Sequence, residues 1–211
     1  FIFLLMKEHN ILGVILAGGK SSRFGSNKSL SKLANNKLIE HVINKIDTYF
    51  SEILVVSNDS GLGIENKKIK IIEDCIKGYL GPLAGVLSAM KYANSFENKF
   101  KWIITFPCDT PFFEKLIVEQ MIEKATSPKE KIYFVKDKKQ RHNIFGLWST
   151  SLEKVLEEDL NNNFRKVDLW ADKIGCNFIE KDIQNENEFL NINTKEDLEM
   201  AEKIYKKNDF I

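Results

Sequence analysis

The sequence predicts an α/β protein built around a mostly parallel sheet. Three observations carry that prediction: short apolar runs that read as buried strands, helical periodicity between them, and glycine-rich or polar loops where the strands end. Residues 11–16, Ile-Leu-Gly-Val-Ile-Leu, are apolar without alternation, as a strand covered on both faces must be. Leu38, Val42, Ile46 and Tyr49 recur at helical spacing across 38–50. Strands follow at 52–57 and 69–72, a helix at 83–93 and a further buried strand at 102–106. Residues 115–124 read as a helix with Ile117, Met121 and Ile122 on its inner face.

The second half is less regular. Residues 132–135 and 144–148 are expected to form an antiparallel pair joined by the polar stretch 136–143. Helices are expected at 152–160 and 164–174, with a last short strand at 177–179. Thr194, with Asp197 three residues on, has the pattern of a capping box and opens a terminal helix.

With 211 residues and neither an internal repeat nor a low-complexity linker, the chain is read as one domain, 1–211. Lys+Arg 31 against Asp+Glu 30 leaves a formal charge of +1, which argues against a nucleic-acid or membrane-surface partner. Cys75, Cys108 and Cys176 are widely spaced and odd in number, so they read as free thiols in a reducing compartment. His9, His41 and His142 have no metal-ligand spacing. The apolar opening 1–6 is interrupted by Lys7, Glu8, His9 and Asn10, too soon for a signal peptide or a membrane span. Met6 is a candidate start and the expected location is the cytoplasm.

Chemistry concentrates at three strand ends. The first is Leu16-Ala17-Gly18-Gly19-Lys20-Ser21-Ser22-Arg23-Phe24-Gly25-Ser26-Asn27-Lys28. Glycines directly after a buried strand allow close backbone approach, and successive N–H groups make an anion nest. Arg23 and Lys28 add fixed positive charge, as a triphosphate demands. The string is neither a Walker A loop nor a dinucleotide fingerprint, because its glycines are out of step with both.

The second is Pro107-Cys108-Asp109-Thr110-Pro111. A carboxylate at a buried strand end suits a hard cation such as Mg²⁺, which takes one or two protein carboxylates and completes its shell with phosphate and water. The alternative is that Asp109 caps the helix that follows. The third is Glu73-Asp74 with Gly81-Pro82-Leu83-Ala84-Gly85. Guanine offers two adjacent donors, and a carboxylate such as Asp74 accepts both; Asn58 is placed to add an amide contact. Ordinary turn chemistry is the alternative for Asn58 and Asp74 alike.

Taken together, these strings resemble the molybdenum cofactor guanylyltransferases (MobA-like), within the glycosyltransferase-A-like nucleotidyltransferases. The matching residues are 16–28, Ile72-Glu-Asp74, Gly81-Pro-Leu-Ala-Gly85, Pro107-Cys-Asp-Thr-Pro111 and Asn191-Ile-Asn-Thr194, in family order across nearly the whole chain. The resemblance implies a three-layer α/β/α, Rossmann-like nucleotide-diphospho-sugar transferase architecture. It implies transfer of GMP from GTP to molybdopterin-bound molybdenum, with release of pyrophosphate and with Mg²⁺ as cofactor. It implies that Leu16, Ala17, Gly18, Gly19, Lys28, Asn58, Asp74 and Asp109 contact the nucleotide, that Asp109 holds the metal, and that Arg23, Lys28 and Asp109 carry catalysis. The nucleotide part is then about residues 11–111 and the acceptor part about 112–211. Within the latter, Arg141, His142, Arg165, Lys166, Asn191 and Asn193 face the pterin, and transient contact with other molybdenum-cofactor proteins is expected. At one point the chain departs from the pattern: Asn143 follows His142 where the family often has proline, so φ is not fixed there, and a solvated hairpin tip is the other reading of 136–142. The rival functions are a nucleotidyltransferase using CTP or a sugar or alditol phosphate acceptor, and a non-catalytic pterin-binding protein.

Overall fold

The computed structural model describes residues 10–18, 30–59, 61–76, 81–97, 99–182 and 185–207. Its strands are β1 (Ile11–Leu16), β2 (Lys32–Leu33), β3 (Asn36–Lys37), β4 (Ile53–Val56), β5 (Ile69–Ile72), β6 (Trp102–Pro107), β7 (Ile132–Lys136), β8 (Arg141–Ser149) and β9 (Asn177–Glu180). Its helices are α1 (Leu38–Ile46), α2 (Pro82–Asn94), α3 (Lys115–Thr126), α4 (Glu153–Asn161), α5 (Val167–Ile174) and α6 (Lys195–Lys207). A short 3₁₀ turn, Thr150–Leu152, leads into α4.

One seven-stranded sheet has the order β5-β4-β1-β6-β8-β7-β9. Every neighbouring pair is parallel except the two made by β8. The sheet is therefore mixed but mostly parallel, as expected. Strand residues alternate between two cores. Ile11 and Ile15 of β1 pack with Ile39, Val42 and Ile46 of α1 and with Ile117, Val118 and Met121 of α3. Leu12 and Val14 face the other way, onto Leu83, Val86 and Met90 of α2, Leu156 of α4 and Trp170 of α5. This is the three-layer α/β/α arrangement, and strands with two apolar faces require it. A third cluster of Leu33, Leu38, Phe112, Ile192 and Ala201 seats α6 beside the small β2–β3 hairpin. No helix among the described residues is long and apolar enough to cross a membrane.

Several boundaries differ from the sequence expectation. The strand expected at 144–148 begins at Arg141, and the polar link shrinks to residues 137–140. Asp137 accounts for this: its Oδ1 accepts the N–H groups of Lys139 at 2.5 Å and Gln140 at 2.7 Å, closing the turn so that the charged residues after it can still pair. A register shift between Phe134 and Val135 absorbs the extra residues of β8. The helix expected at 164–174 starts only at Val167, because Asn163 adopts φ 64° and turns the chain after α4. Helix α1 ends at Ile46 instead of 50, with Phe50 buried beyond it. The terminal capping box forms as anticipated. Thr194 Oγ1 accepts the Asp197 N–H at 3.1 Å, and Asp197 Oδ2 accepts the Thr194 N–H at 2.8 Å.

Candidate active site

Parallel register places four strand ends on one edge. Leu16 stands opposite both Val56 and Pro107, and Val56 opposite Ile72. Residues 17–18, 57–58, 73–74 and 108–109 therefore leave the sheet in the same direction. Backbone bonding continues one residue past the strands: the Ala17 N–H reaches Val56 O at 2.9 Å and the Ser57 N–H reaches Ile72 O at 2.8 Å. Strand order reverses at β1, with β4 on one side and β6 on the other, which is where open α/β sheets take their ligands.

Asp74 and Asn58 form a reciprocal pair. Asn58 Nδ2 donates to Asp74 Oδ2 at 2.9 Å, and the Asp74 N–H donates to Asn58 Oδ1 at 3.0 Å. Gly18 and Gly85 lie against the same carboxylate: a Cβ on Gly18 would fall 3.5 Å from Oδ2, and one on Gly85 would fall 3.6 Å from Oδ1. Gly81 takes φ 83° to turn the chain into α2 just before Pro82. Burial pushes the half-buried Asp74 carboxyl above its ordinary value, and the donated Asn58 amide offsets part of the rise. The result is an acceptor edge fixed in orientation beside the end of β1.

Asp109 leaves the end of β6 half-buried. Its Oδ1 accepts the Thr110 hydroxyl at 3.3 Å, and its main-chain oxygen accepts the Ile192 N–H at 2.9 Å. The second bond draws the extended segment before α6 to this strand end. Ile192 is buried, while Asn191 and Asn193 on either side of it are exposed. Among the described residues there is no group of three or more His, Cys, Asp or Glu that could hold a metal ion. A single carboxylate fits Mg²⁺, which leaves most of its shell to phosphate oxygens and water.

The remaining expected residues fall in two places. Arg165 and Lys166 precede α5, and a Cβ on Gly81 would fall 4.0 Å from Arg165 O, so their loop stands at the head of α2 next to the Asp74 loop. Arg165 Nη2 donates to Asn163 Oδ1 at 3.1 Å, and Lys166 is exposed. Arg141 and His142 open β8 and are each committed to a carboxylate. Arg141 makes a forked contact with Asp172 at 2.6 Å and 3.3 Å. His142 Nε2 lies 2.9 Å from Asp137 Oδ2, and its ring stacks on Phe189 at 3.6 Å. Burial would raise the Asp137 carboxyl, but His142 and the backbone N–H groups of Gln140 and Lys139 outweigh it, so the group is held below its ordinary value. Gly19, Arg23 and Lys28 lie outside the described residues. Sequence reasoning passes over Ser88, whose buried hydroxyl binds the loop carrying Asp74; the available signal is its spacing of four from Ala84 and three from Gly85, which places it on the same helix face.

The MobA-like NTP transferase domain family matches residues 13–171. The molybdenum cofactor guanylyltransferase of Shewanella woodyi is 33% identical over 195 residues, covering 92% of this chain and 96% of that protein. That of Shewanella halifaxensis is 32% identical over 185 residues, covering 87% and 89%. Among solved structures, molybdopterin-guanine dinucleotide biosynthesis protein A from Archaeoglobus fulgidus superposes with a TM-score of 0.77 at 23% identity, covering 93% of this chain and 99% of its own. A 4-diphosphocytidyl-2C-methyl-D-erythritol synthase from Anaerococcus prevotii superposes at 0.71 with 12% identity, covering 96% and 99%. At such identities the structural likeness concerns the fold, and the fold is the Rossmann-like one of nucleotidyltransferases. The chain belongs to the MobA-like NTP transferase family.

Proposed function

We propose that this protein transfers GMP from GTP to molybdopterin-bound molybdenum, forming the guanine dinucleotide cofactor and releasing pyrophosphate, with Mg²⁺, in the cytoplasm. Family membership and the names of its relatives support a nucleotidyltransferase of this kind. The single observation that carries the choice of guanine is Asp74, whose carboxylate is held by Asn58 and flanked by Gly18 and Gly85 at the carboxyl edge of the sheet. A carboxylate there accepts both N1–H and N2–H of guanine, whereas adenine and cytosine present an amino donor beside a ring acceptor and leave polar groups unpaired.

In the reaction a terminal phosphate oxygen of molybdopterin attacks the α-phosphorus of GTP. The bond from that phosphorus to the bridging oxygen breaks in line, and pyrophosphate leaves with the electron pair. A phosphate monoester has its second pKa at about 6, so the nucleophile is already anionic at neutral pH and needs no general base. The work left to the protein is orientation and charge neutralisation. Leu16, Ala17, Gly18 and Gly19 at the end of β1 would lie along the nucleotide, and Arg23 and Lys28 would counter the charge of its triphosphate. Asp109 would hold the metal ion. Mg²⁺, when bound, supplies positive charge to the phosphate oxygens. Asn191 and Asn193, drawn to Asp109 through Ile192, would meet the acceptor together with Arg165 and Lys166. Arg141 and His142 would border that side, with Asp172 and Asp137 setting their orientation.

The test is pyrophosphate release with molybdopterin-bound molybdenum, Mg²⁺ and each of GTP, CTP, ATP and UTP. GTP is expected to be turned over well above the rest. A preference for CTP, or turnover only with a sugar or alditol phosphate as acceptor, would replace this reading. Binding of the pterin cofactor without turnover of any nucleotide would make the protein a carrier.

A further inference from the structure

We propose that Ser88 is a positioning residue for base selection: its hydroxyl ties the main chain just after Asp74 to helix α2 and thereby sets where the Asp74 carboxylate meets the base. The inference rests on the reading of Asp74 as the base acceptor.

Ser88 lies in the middle of α2 and is 2% exposed. Its Oγ donates to Ala84 O at 2.8 Å and accepts the Cys75 N–H at 2.8 Å. A hydroxyl has one proton, so the bond to Ala84 fixes the rotor and turns a lone pair toward Cys75. Glu73 and Cys75 on either side of Asp74 are exposed, so the loop is gripped from below. Two consecutive amides are held by side chains from different elements: that of Asp74 by Asn58 beyond β4, and that of Cys75 by Ser88 on α2. The Asn58 bonds tie Asp74 to the loop beyond β4. The Ser88 contact adds a second fixed point, on a helix whose residues from Leu83 to Met90 are all buried.

Gly85, one turn before Ser88, completes the arrangement. Its missing side chain leaves room for Leu16, since a Cβ there would stand 3.0 Å from Leu16 Cδ2, and Asp74 Oδ1 lies at contact distance from the same point, 3.6 Å. Helix α2 thus lies against the carboxylate and holds the main chain just after it. Hydrogen-bond strength falls steeply with misalignment, and guanine asks the carboxylate to meet two donors at once. Inosine, which lacks the 2-amino group, asks for one. Loss of alignment therefore costs GTP more than ITP, whereas a general loss of stability costs both alike.

The experiment uses the full chain with Ser88→Ala and the near-isosteric Ser88→Cys, whose sulfur is a poor acceptor. Pyrophosphate release is measured with GTP and with ITP in the presence of Mg²⁺ and molybdopterin-bound molybdenum. Urea unfolding is followed in parallel, and Asp74→Asn serves as reference. Ser88→Ala is expected to raise the KM for GTP about tenfold with little change in kcat, and to lower the GTP-over-ITP preference about fivefold. Ser88→Cys is expected to move both quantities in the same direction by a smaller factor while unfolding close to the wild-type urea concentration. A wild-type GTP-over-ITP ratio in a folded Ser88 variant overturns the inference, as does a fall in kcat shared equally by both nucleotides. If the unaltered protein does not prefer GTP to ITP, and Asp74→Asn does not change that, then the base-acceptor reading fails and this inference fails with it.

Discussion

Substituting Asp74 by Asn tests the guanine reading most directly, and the structure dictates how the new side chain must sit. The Asp74 N–H donates to Asn58 Oδ1 at 3.0 Å, which fixes the rotation of the Asn58 amide and leaves its Nδ2 facing the carboxylate at 2.9 Å. In Asp74→Asn the carbonyl oxygen must therefore take the Oδ2 position, because the reverse orientation would set two donors against each other. The new NH₂ group then occupies the Oδ1 position and sets a donor against one of the two guanine donors, N1–H and N2–H₂. One charge-assisted hydrogen bond is lost outright, worth about 1.5–3 kcal/mol, and the other weakens with the charge. Asp74 is only half-buried, and water screens part of this, so a net loss of about 2–3 kcal/mol is expected, or about 30- to 150-fold in kcat/KM for GTP. Side-chain volume hardly changes and the backbone bond to Asn58 is kept, so the melting temperature should stay close to that of the unaltered protein. XTP, which carries a carbonyl where guanine has its amino group, should gain relative to GTP, because the new amide can donate to it. Steady-state pyrophosphate release with GTP, ITP and XTP reads all three quantities. Unchanged kcat/KM for GTP, or an equal fall for every nucleotide, would refute the argument.

Three further outcomes follow from the same geometry. Burial raises the Asp74 carboxyl and the Asn58 amide pulls it back down, so Asn58→Ala should let it rise further. Only the ionised group accepts both guanine donors, so the acid-side decline of kcat/KM for GTP should shift to higher pH in that variant, and a pH profile with an unmoved acid limb would contradict this. Asp109→Ala should abolish turnover while circular dichroism and thermal unfolding remain near normal, since the tie to Ile192 runs through the Asp109 main-chain oxygen and survives the change; near-normal activity in the purified variant would remove Asp109 from the mechanism. Gly146→Ala should destabilise the fold by about 1–3 kcal/mol in urea titration without altering the KM for GTP. Its Cβ would fall 2.7 Å from Trp148 Nε1 and 2.9 Å from Cε2, and the indole is pinned by its own hydrogen bond to Thr105 Oγ1 at 2.9 Å.

The parts of this protein legible in its sequence are those whose causes lie within a few residues. The apolar run 11–16 had to be a strand covered on both faces, and it is the third strand of a sheet with helices on both sides. Helix α3 follows from its apolar spacing, and the Thr194–Asp197 cap from a pattern four residues long. The candidate residues were recognisable only as strings in combination, because a glycine, an amide or an acid at a strand end is by itself ordinary turn chemistry. Tertiary structure decided the rest. Asn58 and Asp74 are 16 residues apart, and only the parallel pairing of β4 with β5 brings their loops side by side, so that one orients the other. The segment 191–193 reaches Asp109 through one backbone bond to a residue whose own side chain is buried in a separate cluster. Arg141 and His142 read in sequence as pterin contacts or as part of a solvated hairpin tip, and the Asp137 turn draws them into β8, where Asp172, Asp137 and Phe189 engage them. Local propensity acts over a turn or a strand, whereas which loop faces which depends on the strand order that lets both apolar faces of the sheet be covered at once, and that order is a property of the whole chain.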